Sequence, residues 1–66
     1  MSKYIITGLR NGVAIRENKE GFFLGNINIK KFNSKKEVLN FKKTKDFKKL
    51  DDLCPCEWHT IEVEDE

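Results

Sequence analysis

Lys3-Tyr4-Ile5-Ile6-Thr7-Gly8-Leu9-Arg10-Asn11-Gly12-Val13-Ala14-Ile15-Arg16-Glu17 is the stretch whose reading decides the fold. Tyr4 and Ile6 fall on one side of an extended chain and Ile5, Thr7 and Leu9 on the other, the period of two that marks a β-strand. Asn11-Gly12 then supplies residues that tolerate positive φ, the strongest short hairpin signal, and Val13 to Glu17 reads as the returning strand. Asn18-Lys19-Glu20-Gly21 predicts a second, looser turn. Phe22-Phe23-Leu24 opens a third strand. Gly25-Asn26 interrupts that strand and places Ile27 and Ile29 on an extension or a short further strand, with a bulge between.

Downstream the period lengthens. Ser34 followed by Glu37 is a capping box and sets a helix start at about Lys35, with Val38, Leu39 and Phe41 as the apolar stripe and Lys36, Asn40 and Lys43 pointing away. Phe47, Leu50 and Leu53 or Cys54 also recur at helical spacing. On one continuous helix this second stripe would be rotated by roughly a quarter turn from the first. The chain is therefore expected to break around Thr44 to Asp46, with Asp46 capping a short second helix. Pro55 ends it. Trp58 to Glu64 alternates again, with His59, Ile61 and Val63 on the apolar side, and the final Glu64-Asp65-Glu66 is expected to fray. The expected fold is α+β, in the order β-β-β-α-(α)-β. A small antiparallel sheet, a three-stranded meander plus a C-terminal strand, packs on one face against a helix and a second short helix.

The chain has 66 residues, the size of one small domain, which buries roughly 60% of the surface its unfolded chain exposes. Its apolar residues suffice to cover one face of such a sheet. A ligand pocket of about 300 Å³ or more would consume most of that core, which disfavours enzyme readings. Met1-Ser2-Lys3 runs straight into a strand pattern, no long apolar run follows, and two cysteines do not make a disulfide framework, so a cytoplasmic location away from membranes is expected.

Charge is sorted along the chain. Residues 30–49 hold nine lysines against Glu37 and Asp46, and residues 50–66 hold seven acids with no Lys or Arg. The formal net charge of +2 conceals blocks of +7 and −7. Either the fold lets these blocks neutralise each other, or each meets a partner of its own.

Two binding surfaces follow. Asp51, Asp52, Glu57, Glu62 and Glu64, with Trp58 or Phe23 as an aromatic anchor, are the candidate protein-binding set, because a run of carboxylates imitates phosphates and complements the positive groove of a nucleic-acid-binding enzyme. Lys30, Lys31, Lys35, Lys36, Lys42, Lys43, Lys45, Lys48 and Lys49 are the candidate set for nucleic acid, where phosphate neutralisation releases counterions without reading bases. Phe41 and Phe47 are interleaved with those lysines, but their helical spacing assigns them to the core rather than to base stacking.

Cys54-Pro55-Cys56-Glu57-Trp58-His59 is the one cluster with metal-like donors. Its Cys-x-Cys spacing and the lack of a second pair argue for partly buried free thiols. His59 has no neighbour at a recognised catalytic spacing, and the glycines fit turns rather than a phosphate loop, so neither catalytic residues nor a cofactor are expected.

In its small size, its Lys-, Asn-, Ile- and Phe-rich composition, its lack of catalytic groups and its divided charge, the chain resembles the small accessory proteins with which bacterial viruses and mobile elements inhibit host enzymes or defence systems, anti-CRISPR proteins among them. The resemblance is one of general character over the whole chain. It implies a non-enzymatic protein that occupies a surface of a larger host protein, and it transfers no role to any particular residue.

Overall fold

The computed structural model describes residues 2–8 and 12–64. Four strands, β1 (Ser2–Gly8), β2 (Val13–Asn18), β3 (Gly21–Gly25) and β4 (His59–Glu64), form one antiparallel sheet in the order β3-β2-β1-β4. Helices α1 (Lys35–Lys42) and α2 (Lys45–Leu53) pack on one face of it. The α+β class and the element order are those expected from the sequence.

The turn between β2 and β3 is tight, where a looser one was expected. Lys19 and Glu20 alone separate Asn18 from Gly21, which pair across the ladder. Gly21 takes φ +129°, a backbone conformation costly for a residue with a Cβ, and the Asn18 side chain accepts a hydrogen bond from the Glu20 amide at 2.8 Å. The expected Asn11-Gly12 hairpin falls partly outside the described residues, and Leu9, Arg10 and the expected fraying at Asp65 and Glu66 lie outside them, whereas Glu64, also expected to fray, pairs with Ser2 at the end of β4. Within the described part, Gly8 pairs with Val13 and Thr7 with Ala14.

Beyond that short pairing, the chain after β3 lies between β1 and β2. Ile29 bridges Arg16, and the Lys30 amide donates to the Ile15 carbonyl at 2.8 Å. Three residues on, Phe32 bridges Tyr4, the Tyr4 amide donating at 2.9 Å and the Phe32 amide at 2.7 Å. Backbone groups that would be left unpaired where the hairpin splays are thereby satisfied. The extension after Gly25 is thus a wedge in the sheet. Asn28 turns the chain with φ 55° in the left-handed region, and Ile27 is left exposed.

The helix boundaries follow from their caps. The Ser34 hydroxyl accepts from the Glu37 amide at 3.3 Å, while the Glu37 carboxylate reaches back to the Asn33 amide at 2.6 Å, one residue before the position a capping box uses. Thr44, not Asp46, caps α2. Its hydroxyl donates to the Phe41 carbonyl at 2.6 Å and accepts from the Phe47 amide at 3.3 Å, so one side chain closes α1 and opens α2. Asp46 sits in the first turn, where its charge favours the helix N-terminus.

Residues opposite each other in a ladder project from the same face. Tyr4, Ile6, Ile15, Phe22 and Leu24 therefore lie on the helix side, where they meet Val38, Phe41 and Leu50. Phe41 is at the centre, with ring centroids 4.8 Å from Phe22, 5.3 Å from Phe32 and 6.0 Å from Phe47, and Phe47 stands 5.3 Å from Trp58. Each such pair contributes about 0.5–1.5 kcal/mol beyond its buried area.

Two residues expected in the stripes are outside this core. Leu39 is 58% exposed and Leu53 82% exposed, because the core needs only one residue per helical turn from each short helix. The alternation in β4 is also reversed relative to expectation. Ile61 and Val63 pair with Ile5 and Lys3 on the side away from the helices, and His59 is on that side too. Trp58, just before the strand, packs against the core.

Candidate partner-binding edge and lysine face

The Tyr4 amide and carbonyl are both engaged by Phe32. Because polar groups along an antiparallel strand alternate in direction, the Tyr4–Glu62 pair is a non-hydrogen-bonded one. Ile5–Ile61 and Lys3–Val63 are then the bonded pairs, and Thr60, Glu62 and Glu64 turn their amides and carbonyls outward along the open margin of β4. The side chains of Glu62 and Glu64, opposite Tyr4 and Ser2, are exposed on the helix side. Between Glu62 and α1 runs a groove of about 430 Å³ lined by Tyr4, Lys35, Val38, Leu39, Thr60 and Glu62. Leu39, left out of the core, is one wall of it.

The other acids are distributed differently. Asp51 accepts a hydrogen bond from the Trp58 indole Nε1 at 2.9 Å, and both residues are half-buried, so this pair anchors the chain after Pro55 to α2. Glu57 is exposed in that connection, its carboxylate 3.9 Å from His59 Nε2. Asp52 is exposed on α2, beside a second groove at the opposite margin of the sheet. The acidic set thus divides into the β4 edge (Glu62 and Glu64), the connection (Glu57 and Trp58) and α2 (Asp51 and Asp52). Phe23 lies half-buried on the face away from the helices, with the Arg16 guanidinium 5.2 Å from its ring centre.

The lysines cluster on the outer side of the helices. Lys35 and Lys36 begin α1, and Lys42, Lys43, Lys45 and Lys48 surround a shallow depression at the α1–α2 junction, beside Thr44, Phe47 and Asp51. Lys49 lies on the β3 side of α2. Lys30 pairs with Glu17 at 2.9 Å and Lys31 is exposed in the wedge. Among the described residues, no lysine of α1 or α2 comes within 4.0 Å of a carboxylate. Among the described residues, the lysines of α1 and α2 and the acids of residues 51–64 are thus not paired with each other. Phe41, being buried, is withdrawn from the lysine surface.

Cys54 and Cys56 are free and half-buried, and Cys56 Sγ lies against Gly8. Among the described residues no group of three or more His, Cys, Asp or Glu side chains is placed to hold a metal ion, and no helix is long and apolar enough to cross a membrane. Comparison of the chain with protein-family models, with curated proteins and with solved structures finds no match.

Proposed function

We propose that this chain is a non-enzymatic binding protein that acts by occupying a surface of a larger protein, with the β4 margin as its docking strand. The observation that carries this reading is the unspent charge of Glu62 and Glu64, exposed beside outward-facing backbone groups of an edge strand. An edge strand supplies backbone hydrogen bonds to any extended partner, while its carboxylates select a basic one and steer its approach. A positive groove in a nucleic-acid-binding enzyme of the host fits that requirement. An inhibitor of such an enzyme, of the kind bacterial viruses carry against host defence and including anti-CRISPR proteins, is the functional class proposed, acting in the cytoplasm without a cofactor. Glu57, exposed in the connection just before β4, would extend the acidic contact beside Trp58.

The test is affinity capture from a bacterial lysate with the parent chain and with Glu62→Gln/Glu64→Gln, followed by mass spectrometry. A partner held by the parent and lost by the variant supports the assignment. A capture set that is unchanged removes the acidic edge from the mechanism.

A second reading rests on the unpaired lysines around the α1–α2 junction, which would bind nucleic acid by point-charge contact with phosphates. A gel-shift series on arbitrary duplex separates the two: binding with a steep dependence on salt favours the lysine face, and absence of binding at low salt eliminates it.

A further inference from the structure

The opposite margin of the sheet, β3, is also an open edge. Ile15 uses its carbonyl to accept from the Lys30 amide, on the side away from β3. By the alternation of an antiparallel ladder, Ile15–Leu24 and Glu17–Phe22 are then non-hydrogen-bonded pairs, and the amides and carbonyls of Phe22 and Leu24 point outward. Alongside this edge, between β3 and α2, runs a groove of about 600 Å³. The side chains of Phe22, Leu24, Leu50 and Leu53 supply its apolar lining, and Leu53 is 82% exposed at its wall. Glu20, Asp46 and Asp52 stand around it against a single cation, Lys49.

We propose that this groove takes an extended peptide segment of another protein as a fifth strand, with apolar side chains toward Leu50 and Leu53 and a Lys or Arg at each end against the carboxylates. Three features fix that occupant. The outward amides and carbonyls of Phe22 and Leu24, on a five-residue strand about 17 Å long, match one short partner strand. The apolar lining takes alternate side chains of that strand. The carboxylate rim repels phosphate, which disfavours a nucleic acid or an anionic lipid surface, and attracts cationic residues. A second copy of this chain is a poor fit, because Gly21–Gly25 contains no Lys or Arg to answer the rim.

The probe is the peptide acetyl-Lys-Thr-Val-Thr-Val-Thr-Lys-amide, whose two valines and two lysines share one face when extended. It is titrated into the full chain labelled with nitrogen-15. The expected result is saturable amide shifts over β3 and around Leu53, with a Kd below about 1 mM, and binding at least about tenfold weaker for the same peptide with Glu in place of Lys. Leu53→Ser, at an exposed position, weakens binding about three- to tenfold with the rest of the spectrum unchanged, and Asp46→Asn/Asp52→Asn erases the preference for Lys over Glu. Methylating the peptide amides along one edge abolishes binding, whereas methylating the other edge leaves it intact. Glu62→Gln/Glu64→Gln leaves the peptide affinity unchanged, which keeps this site separable from the β4 margin. Equal binding by both methylated peptides, shifts confined to other elements, or self-association through β3 in place of peptide binding would overturn the proposal.

Discussion

Replacing Gly8 with alanine tests the packing that holds the C-terminal connection to the sheet. A Cβ at this position would lie 2.6 Å from Cys56 Sγ and 3.0 Å from two atoms of the Trp58 ring. The thiol, on a short side chain, can swing aside. The indole is held by its bond to Asp51 and by Phe47, so moving it loosens both contacts. Forcing a methyl into a packed site costs about 1–3 kcal/mol. Against this, alanine restricts the unfolded chain and returns about 0.4–1 kcal/mol. The net expectation is a loss of about 0.5–2 kcal/mol, which for a domain of this size lowers Tm by about 3–15 °C. Urea denaturation followed by Trp58 fluorescence measures it. Cys56→Ala in the same background should recover only the part due to sulfur, giving a positive coupling in the double-mutant cycle. If Gly8→Ala unfolds at the parent's midpoint, the close approach of Trp58 to β1 is not a constraint and the reasoning fails.

Other substitutions probe separate links in the argument. Thr44→Ala removes the hydroxyl that joins the helices and should cost about 1 kcal/mol in chemical denaturation, whereas Thr44→Ser should stay close to the parent; equal losses for both would mean that the cap is not what sets the break. Thr7 is 3% exposed and its hydroxyl has no partner among the described residues, so Thr7→Val should raise stability by about 1 kcal/mol, and a decrease would reveal a hydrogen bond to that oxygen. Asp51→Ala strands the half-buried Trp58 indole donor and should cost about 1–3 kcal/mol, with a red shift of the tryptophan emission; an unchanged spectrum would mean that the bond does not position the ring.

The meander, the capped first helix and the C-terminal strand could all be read in the sequence because each carries a local signal: a period of two, a turn dipeptide, or a cap at fixed spacing. Choices made by tertiary packing could not. Thr44 and Asp46 are both acceptable caps, and what selects Thr44 is that its hydroxyl also reaches the Phe41 carbonyl, a contact defined only once α1 ends. Leu39 and Leu53 satisfy helical periodicity, yet two short helices over four strands have room to bury only Val38, Phe41 and Leu50 fully. In β4 the isoleucine and valine suggested the covered side. The register with β1 puts Glu62 beside Tyr4 instead.

The candidate sites were legible to a similar degree. Of the lysine block, Lys42, Lys43, Lys45 and Lys48 gather at the α1–α2 junction, whereas Lys35 lines the groove beside β4, Lys49 the groove beside β3, and Lys30 pairs with Glu17, a division that charge counting along the chain does not reveal. Asp51 could not be told from Asp52 by composition, although one bonds an indole and the other stays in solvent. The groove beside β3 was missed because its parts, a strand at 21–25 and a helix at 45–53, come together only through the fold. The clue available was Leu53, an apolar residue at the very end of a charged helix.

The wedge that spreads β1 from β2 has a kinetic consequence. Most of β1 finds its ladder partners not in β2, the next strand along the chain, but at Phe32 and along β4, which is separated from it by most of the chain. Closing so large a loop is entropically expensive and tends to slow folding. As the polypeptide leaves the ribosome, β2, β3 and the helices can dock early, but Tyr4 and Ile6 stay without their final neighbour until β4 has emerged. The assembly is thus locked by its last strand, and any partner that captured β4 beforehand would hold the domain open.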